Sequence, residues 1–113
     1  MKRMLTLEEL LAECRRFLSE QKFPHGVAFD IPGSKNVAML QVTKSYQEGK
    51  LTLTVNVYRE GSRYLHTHYY EHRTEEDMRK YLAGDEDAER IIASIKELSA
   101  GVDDREGEFP SDY

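Results

Sequence analysis

The sequence predicts an α+β fold, a two-layer sandwich with helices packed on one face of an antiparallel sheet. The first observation is an unbroken alternation of apolar and polar residues from Leu51 to Tyr58, which indicates a strand with one buried face. The second is the recurrence of apolar residues at helical spacing on both sides of this region. The third is a series of turn sequences between three or four strand-like segments. We therefore expect one N-terminal helix, a three- to four-stranded meander whose first strand is short, and two C-terminal helices, in the order α-β-β-β-β-α-α.

The first helix is predicted to begin at Thr6. Glu9 follows three residues later, which is the spacing of a capping box. Pro24 limits the other end, because proline disfavours helical geometry in the residue before it. One apolar stripe runs along this helix: Leu7, Leu10, Leu11, Cys14, Phe17 and Leu18. Because Cys14 lies within the stripe, we expect a buried thiol without nucleophilic function.

The first two strands are predicted over residues 26–31 and 37–46, with a Pro-Gly turn between them. The shorter one is expected to be an edge strand that pairs with the next. A turn of even length at residues 47–50 would gather the apolar residues of two long strands on one face. The residues assigned to that face are Ala38, Leu40, Val42 and Tyr46 on one strand and Leu51, Leu53, Val55 and Val57 on the other.

The last strand has two possible registers, and they place its histidines on opposite faces of the sheet. One register directs Tyr64, His66, His68 and Tyr70 towards the helices. The other directs Leu65, Thr67 and Tyr69 towards the helices and leaves the histidines beside Thr52, Thr54, Asn56 and Tyr58. A shift of one residue exchanges the two faces completely. Leucine is better core material than histidine, which favours the register with the histidines outside.

Two helices are predicted after the sheet. Thr74 caps the first, with Asp77 three residues on, and Gly84 ends it. The second begins at Asp85 or Asp87, and Gly101 is expected to stop it. Its apolar stripe consists of Ala88, Ile91, Ile92, Ile95 and Leu98. Residues 1–101 then form a single domain, and residues 102–113, with five acidic side chains, are expected to be a disordered acidic tail.

Composition restricts the class of protein. With 113 residues the chain has room for one domain. The single cysteine excludes an intrachain disulfide and suggests a reducing compartment. No apolar run approaches the roughly 20 residues needed to span a bilayer, and the basic first residues are not followed by a signal peptide's apolar segment. The expectation is a cytoplasmic protein without a membrane partner.

The net charge of −5 is unevenly distributed. Residues 34–73 carry six basic and three acidic side chains, a net charge of +3, whereas residues 74–113 carry five basic and thirteen acidic ones, a net charge of −8. An acidic total argues against a general nucleic-acid binder. It favours a protein partner, to which the acidic helices could contribute.

The clearest candidate for chemistry is a set of histidines in the last strand. His66 and His68 are two residues apart, so they share one face with Cα atoms about 7 Å apart, and His72 follows on the same face if the strand is regular. Imidazoles at this spacing can bind zinc or another divalent transition metal, and an open coordination position would permit hydrolysis. No other catalytic motif is present, so an enzyme is disfavoured and no cofactor is expected outside this alternative.

A binding surface on the sheet is the preferred hypothesis. With the histidines outside, the face would present aromatic and histidine side chains bordered by basic residues. The residues assigned to it are Tyr58, Arg63, Tyr64, His66, His68 and Tyr70. Such surfaces bind proteins, and they also stack single-stranded bases. The sequence therefore predicts a small adaptor, chaperone-like or inhibitory protein-binding module, which could also be a homodimer, with a metal-binding protein and a single-stranded nucleic-acid binder as alternatives.

Overall fold

The computed structural model describes residues 3–20 and 22–108 of the chain. Its elements are β1 (Arg3–Met4), α1 (Leu7–Glu20), β2 (His25–Asp30), β3 (Asn36–Lys44), β4 (Lys50–Arg59), β5 (His66–Thr74), α2 (Glu75–Ala83), α3 (Asp85–Asp104) and a 3₁₀ turn (Glu106–Glu108). The strands form one sheet in the order β1-β2-β3-β4-β5. The predicted α+β sandwich is confirmed, with one additional strand.

The additional strand, β1, pairs in parallel with β2, so the sheet is mixed and β2 is not the edge that the sequence suggested. Its two residues are too few for any periodicity to show. β1 is held in place by a backbone hydrogen bond and by an ion pair. Leu5 N–H donates to the carbonyl of Asp30 at 2.9 Å. The guanidinium of Arg3 contacts the carboxylate of Glu13, a nearly fully buried residue of α1.

The helices form a second layer on one face of the sheet, and a single core lies between the layers. The core joins the leucines of α1 and the isoleucines of α3 to the alternate residues of β4 that face them. Those residues of β4 are Leu51, Leu53, Val55 and Val57, none of them more than 5% exposed. Among the described residues, no helix is both long and apolar enough to cross a bilayer.

Both predicted N-caps are present. The backbone N–H of Glu9 donates to Thr6 Oγ1 at 3.1 Å, and that of Asp77 donates to Thr74 Oγ1 at 3.2 Å. Cys14 is buried as expected. Burial, and secondarily the neighbouring Glu13 carboxylate, raises the pKa of its thiol to about 11, which leaves it protonated and unreactive at neutral pH.

The β3–β4 register places Ala38, Leu40 and Val42 on the helix side, as predicted, opposite Val57, Val55 and Leu53. The assignment of Tyr46 to this face was wrong. β3 ends at Lys44, so Tyr46 lies in the turn and is 86% exposed. The period-2 argument holds only as far as the strand continues.

The β4–β5 register pairs Tyr58 with His66, Asn56 with His68 and Thr52 with His72. Side chains of directly paired residues lie on the same face, so the histidines point away from the helices. The prediction that favoured them outside is confirmed, and Leu65 is buried.

The predicted end of α3 at Gly101 was wrong, because the helix continues to Asp104. Val102 is fully buried and extends the apolar stripe by one turn. A buried polar cluster fixes this end of the helix to the sheet. Asn36 Nδ2 donates to Ser99 Oγ at 2.8 Å and to Asp103 Oδ1 at 2.9 Å, while Arg59 Nε donates to Asn36 Oδ1 at 2.7 Å. Residues 102–104 of the predicted tail belong to α3 and residues 106–108 to the 3₁₀ turn, and residues 109–113 lie outside the described part of the chain.

Candidate functional site

The face of the sheet turned away from the helices is the candidate binding site, and we call it the open face. It consists of the outward residues of all five strands: Met4, Gly26, Ala28, Asp30, Val37, Met39, Gln41, Thr43, Lys50, Thr52, Thr54, Asn56, Tyr58, His66, His68, Tyr70, His72 and Thr74. Within the described residues, all three helices contribute their buried side chains to the core on the opposite face.

The open face carries few charges. Its only Asp, Glu, Lys and Arg side chains are Asp30, at the end of β2, and Lys50, at the start of β4. In the whole chain, by contrast, 33% of residues are charged. Threonine, asparagine, glutamine and neutral rings occupy the centre, where an ordinary solvated sheet of so charged a protein would carry lysine and glutamate. The centre can therefore approach another surface without desolvating a full charge.

Large side chains stand out from this neutral centre. Tyr70 is 58% exposed and Met4 is 50% exposed, while Met39 is 38% exposed. The His68 and Tyr70 rings meet edge to face, with centroids 5.0 Å apart. Methionine and tyrosine are the residue types that protein interfaces favour. Their exposure gives the open face a means of apolar contact.

Four of the predicted binding residues lie on the open face: Tyr58, His66, His68 and Tyr70. The other two, Arg63 and Tyr64, lie in the β4–β5 connection instead, because β5 begins at His66. There the Arg63 guanidinium is 5.9 Å from the centroid of the Tyr64 ring. The contribution of β3 to this face, chiefly Met39 and Gln41, was not predicted from the sequence. The alternation of β3 was the signal that could have found them.

The three histidines of the metal alternative share the open face but not one site. His66 and His72 are six residues apart on a strand, which separates their Cα atoms by roughly 20 Å. The His72 Nδ1 atom is 2.9 Å from Thr52 Oγ1, and its ring packs edge to face on Tyr46. Across residues 3–20 and 22–108, no three His, Cys, Asp or Glu side chains are grouped so that they could hold a metal ion.

A second feature lies on the helix side of β5. Here α2 and α3 leave the inner face of the edge strand partly uncovered, and Glu71 and Arg73 line an open recess of about 670 Å³ that we call the edge recess. Its other walls are residues of the two helices, all of them charged or hydroxyl-bearing except Ala93: Asp77, Lys80, Tyr81, Asp87, Arg90, Ala93, Ser94 and Glu97.

The floor of the edge recess is organised around Arg73. Its guanidinium lies 3.9 Å from the centroid of the Tyr81 ring and bonds the Glu71 carboxylate at 3.1 Å. Burial, followed by the Glu71 charge, raises the pKa of Tyr81 to about 12 and also raises the pKa of Tyr69. Both phenols therefore remain neutral hydrogen-bonding groups at physiological pH.

Comparison with known proteins gives no relative for this chain. No family model matches it, and no match was found among curated proteins or among solved structures.

Proposed function

We propose that this chain is a small protein-binding module whose open face receives a partner protein. The observation that carries the proposal is the scarcity of charge on that face in a chain that is one-third charged. The cores of protein interfaces are depleted in charged residues and enriched in tyrosine and methionine. The partner is expected to present a similarly uncharged surface with apolar side chains and hydrogen-bonding groups.

The open face offers two kinds of contact to such a partner. The exposed rings and methionines would supply apolar contact area, chiefly Met39 and Tyr70. The neutral polar side chains between them would supply hydrogen bonds. One of these groups, Asn56 Oδ1 at the centre, is shielded from solvent and accepts no hydrogen bond within the described residues. Because it is shielded, it does not reach a partner, and the hydrogen bonds would come from more exposed groups beside it, such as His68.

The same observation separates a protein partner from single-stranded nucleic acid. Binding of nucleic acid depends on lysines and arginines that neutralise phosphates. On the open face only Lys50 could do so, and Asp30 opposes it from the other end of the sheet. The chemistry of the face therefore favours a protein.

The proposal is tested by placing one charge in the middle of the open face. Thr54 lies between Gln41 and Tyr70 in the sheet, so Thr54→Lys introduces an ammonium group that docking would have to desolvate. The matched control is Ala100→Lys, which adds the same charge on an exposed position of α3. Both changes are expected to leave the free energy of unfolding in urea within about 0.5 kcal/mol of the parent.

The readout is affinity capture from nuclease-treated and untreated lysate with the tagged parent and both variants. We expect one protein to be retained in stoichiometric amount by the parent and by Ala100→Lys, and to be lost by Thr54→Lys. Equal retention by Thr54→Lys would refute the placement of the site. Retention that disappears with nuclease would favour nucleic acid, and loss of self-association by Thr54→Lys in sedimentation would identify the partner as a second copy.

A further inference from the structure

The two edges of the sheet differ in length and in protection. The edge at β1 is only two residues long. The edge at β5 is nine residues long, and within the described residues no strand pairs with it on its outer side. Natural edge strands are commonly blocked by lysine or proline. β5 contains neither, and its one opposite-charge pair, Glu71 with Arg73, is internally neutralised.

The hydrogen-bonding groups on this free edge can be assigned from the register. The N–H of Arg59 donates to the carbonyl of Leu65 at 2.9 Å, so the odd-numbered residues of β5 bond to β4. In an antiparallel pair these positions alternate with ones whose backbone groups point the other way. His68, Tyr70 and His72 therefore direct N–H and C=O groups to the free edge.

The start of the edge is already occupied. Arg105 Nη1 donates to the carbonyl of His66 at 3.3 Å, and its Nη2 donates to the carbonyl of Tyr64 at 3.2 Å. In this way the Arg105 guanidinium occupies the carbonyl groups at the N-terminal end of the β5 edge. The segment from His68 to His72 is left as the usable part, with three residues in the correct orientation.

The edge recess lies directly beside this segment. An added strand would run about 4.8 Å beyond β5, and its side chains would alternate between the open face and the recess. β4 has fully buried residues on the helix side, but Glu71 and Arg73 are each about one-third exposed there. Side chains of an incoming strand would thus find space between β5 and the two helices. This combination of backbone pairing and side-chain pockets is the general basis of strand-addition recognition.

The charges of the recess indicate which side chains it would take. Its three cations are each engaged: Arg73 with Glu71, Lys80 with Glu76, and Arg90 with Glu86 and Asp87. Asp77 and Glu97 also line the recess, and their carboxylates have no ion pair within the described residues. These carboxylates leave the recess with unmatched negative charge, so a lysine or arginine side chain of a bound peptide fits it best.

We propose that the free edge of β5 and the edge recess together bind an extended peptide segment as a sixth, antiparallel strand, with basic side chains directed into the recess. This site adjoins the open face and differs from it in the groups that it uses. The edge would select its peptide by backbone hydrogen bonds and positive charge, whereas the open face would select its partner by uncharged contacts.

The test uses four synthetic nine-residue peptides. The first alternates valine with arginine, and the second replaces arginine by glutamate. In antiparallel addition with arginine in the recess, the valine N–H groups point to β5. The third peptide is therefore the arginine peptide N-methylated at its valines, with the isomer N-methylated at its arginines as a control of equal charge.

We expect the arginine peptide and its arginine-methylated isomer to bind, and the other two to bind at least about tenfold more weakly. Amide hydrogen exchange at His68, Tyr70 and His72 should slow on binding. His68→Pro should abolish binding, whereas His68→Thr, which keeps the backbone N–H, should not. The proline should leave the fold intact, because the outward N–H of an edge strand makes no hydrogen bond to the neighbouring strand. Asp77→Asn combined with Glu97→Gln should remove the preference for arginine over glutamate without affecting the fold.

Several results would overturn the proposal. Equal binding of both methylated isomers would show that charge alone holds the peptide. Unchanged binding by His68→Pro would exclude the edge. Protection of the three amides without peptide would assign the edge to another occupant, a second copy if the protection depends on concentration and another part of the same chain if it does not. None of these results depends on whether Thr54→Lys loses its partner, so the two proposals stand or fall separately.

Discussion

The two faces of β4 differ sharply although their residues alternate along one strand. On the helix side, Leu51, Leu53, Val55 and Val57 are buried in the core. On the open face, the intervening residues are Thr52, Thr54, Asn56 and Tyr58. The first set provides the apolar burial that stabilises the fold. The second set contributes little to that burial. Its composition therefore reflects the environment of the open face and not that of the core.

The largest expected effect is on the helix side. Phe29 on β2 is fully buried beside Ala38, and Phe29→Ala removes a large core side chain that its neighbours cannot replace. We expect a loss of about 3–5 kcal/mol in the free energy of unfolding. Urea unfolding followed by circular dichroism measures it. Thr54→Ala, on the open face, is the control and should change stability by no more than about 0.5 kcal/mol. Comparable losses in both variants would mean that the two faces do not differ as described.

The next effect concerns a polar group that the helix side does bury. Asn36 is 1% exposed and links Arg59 to Ser99 and Asp103. Asn36→Ala would remove these buried hydrogen bonds, although Arg59 and Asp103 would stay paired with each other at 2.6 Å, and we expect a cost of about 1–3 kcal/mol. Urea unfolding again provides the measurement, with the exposed Lys35→Ala as the adjacent control. A loss below about 0.5 kcal/mol would show that water replaces the asparagine without difficulty.

A smaller effect of opposite sign is expected at the centre of the open face. Because Asn56 Oδ1 is shielded and unpaired in the described residues, Asn56→Thr removes an unsatisfied acceptor and places a better strand-forming residue there. The free protein should become more stable by about 1 kcal/mol, as measured by urea unfolding. Destabilisation in urea would contradict this account of the side chain.

The smallest effect tests the edge recess by pH. The folded state raises the pKa of Tyr81 from 10 to about 12, which means that folding favours the neutral phenol. This contribution is complete below pH 10 and is lost as the pH rises from 10 to 12. Tyr81→Phe should remove this part of the alkaline loss of stability. Urea midpoints at pH 8 and pH 11 for the two proteins provide the comparison, and parallel pH dependences would show that Tyr81 is not desolvated by the recess.

The fold was largely predictable because its strongest determinants are local. The alternation in β4, the stripe of α1 and the Thr6 and Thr74 caps each specify an element within a few residues. β1 could not be found in this way, since Arg3 is held by Glu13 from a different element. Gly101 misled the prediction of α3, because a glycine within a helix is tolerated when the next residue, here Val102, is buried.

The candidate site was predictable only in part. The register argument placed His66, His68 and Tyr70 on the correct face from the preference for Leu65 in the core. The edge recess could not be predicted, because it depends on how far α2 and α3 extend over β5. How far the helices cover the sheet depends on tertiary packing. From the sequence of β5 alone, Glu71 and Arg73 are interpreted as ordinary surface residues.

The most direct measurement of the central claim is hydroxyl-radical footprinting of the captured complex against the free protein. Met39, Tyr58 and Tyr70 lie on the open face, and Tyr81 on the helix side is the internal reference. The open-face proposal predicts that oxidation falls at the first three and is unchanged at Tyr81. Unchanged oxidation of Met39 and Tyr70 in a stoichiometric complex would contradict it and would move the binding surface elsewhere on the molecule.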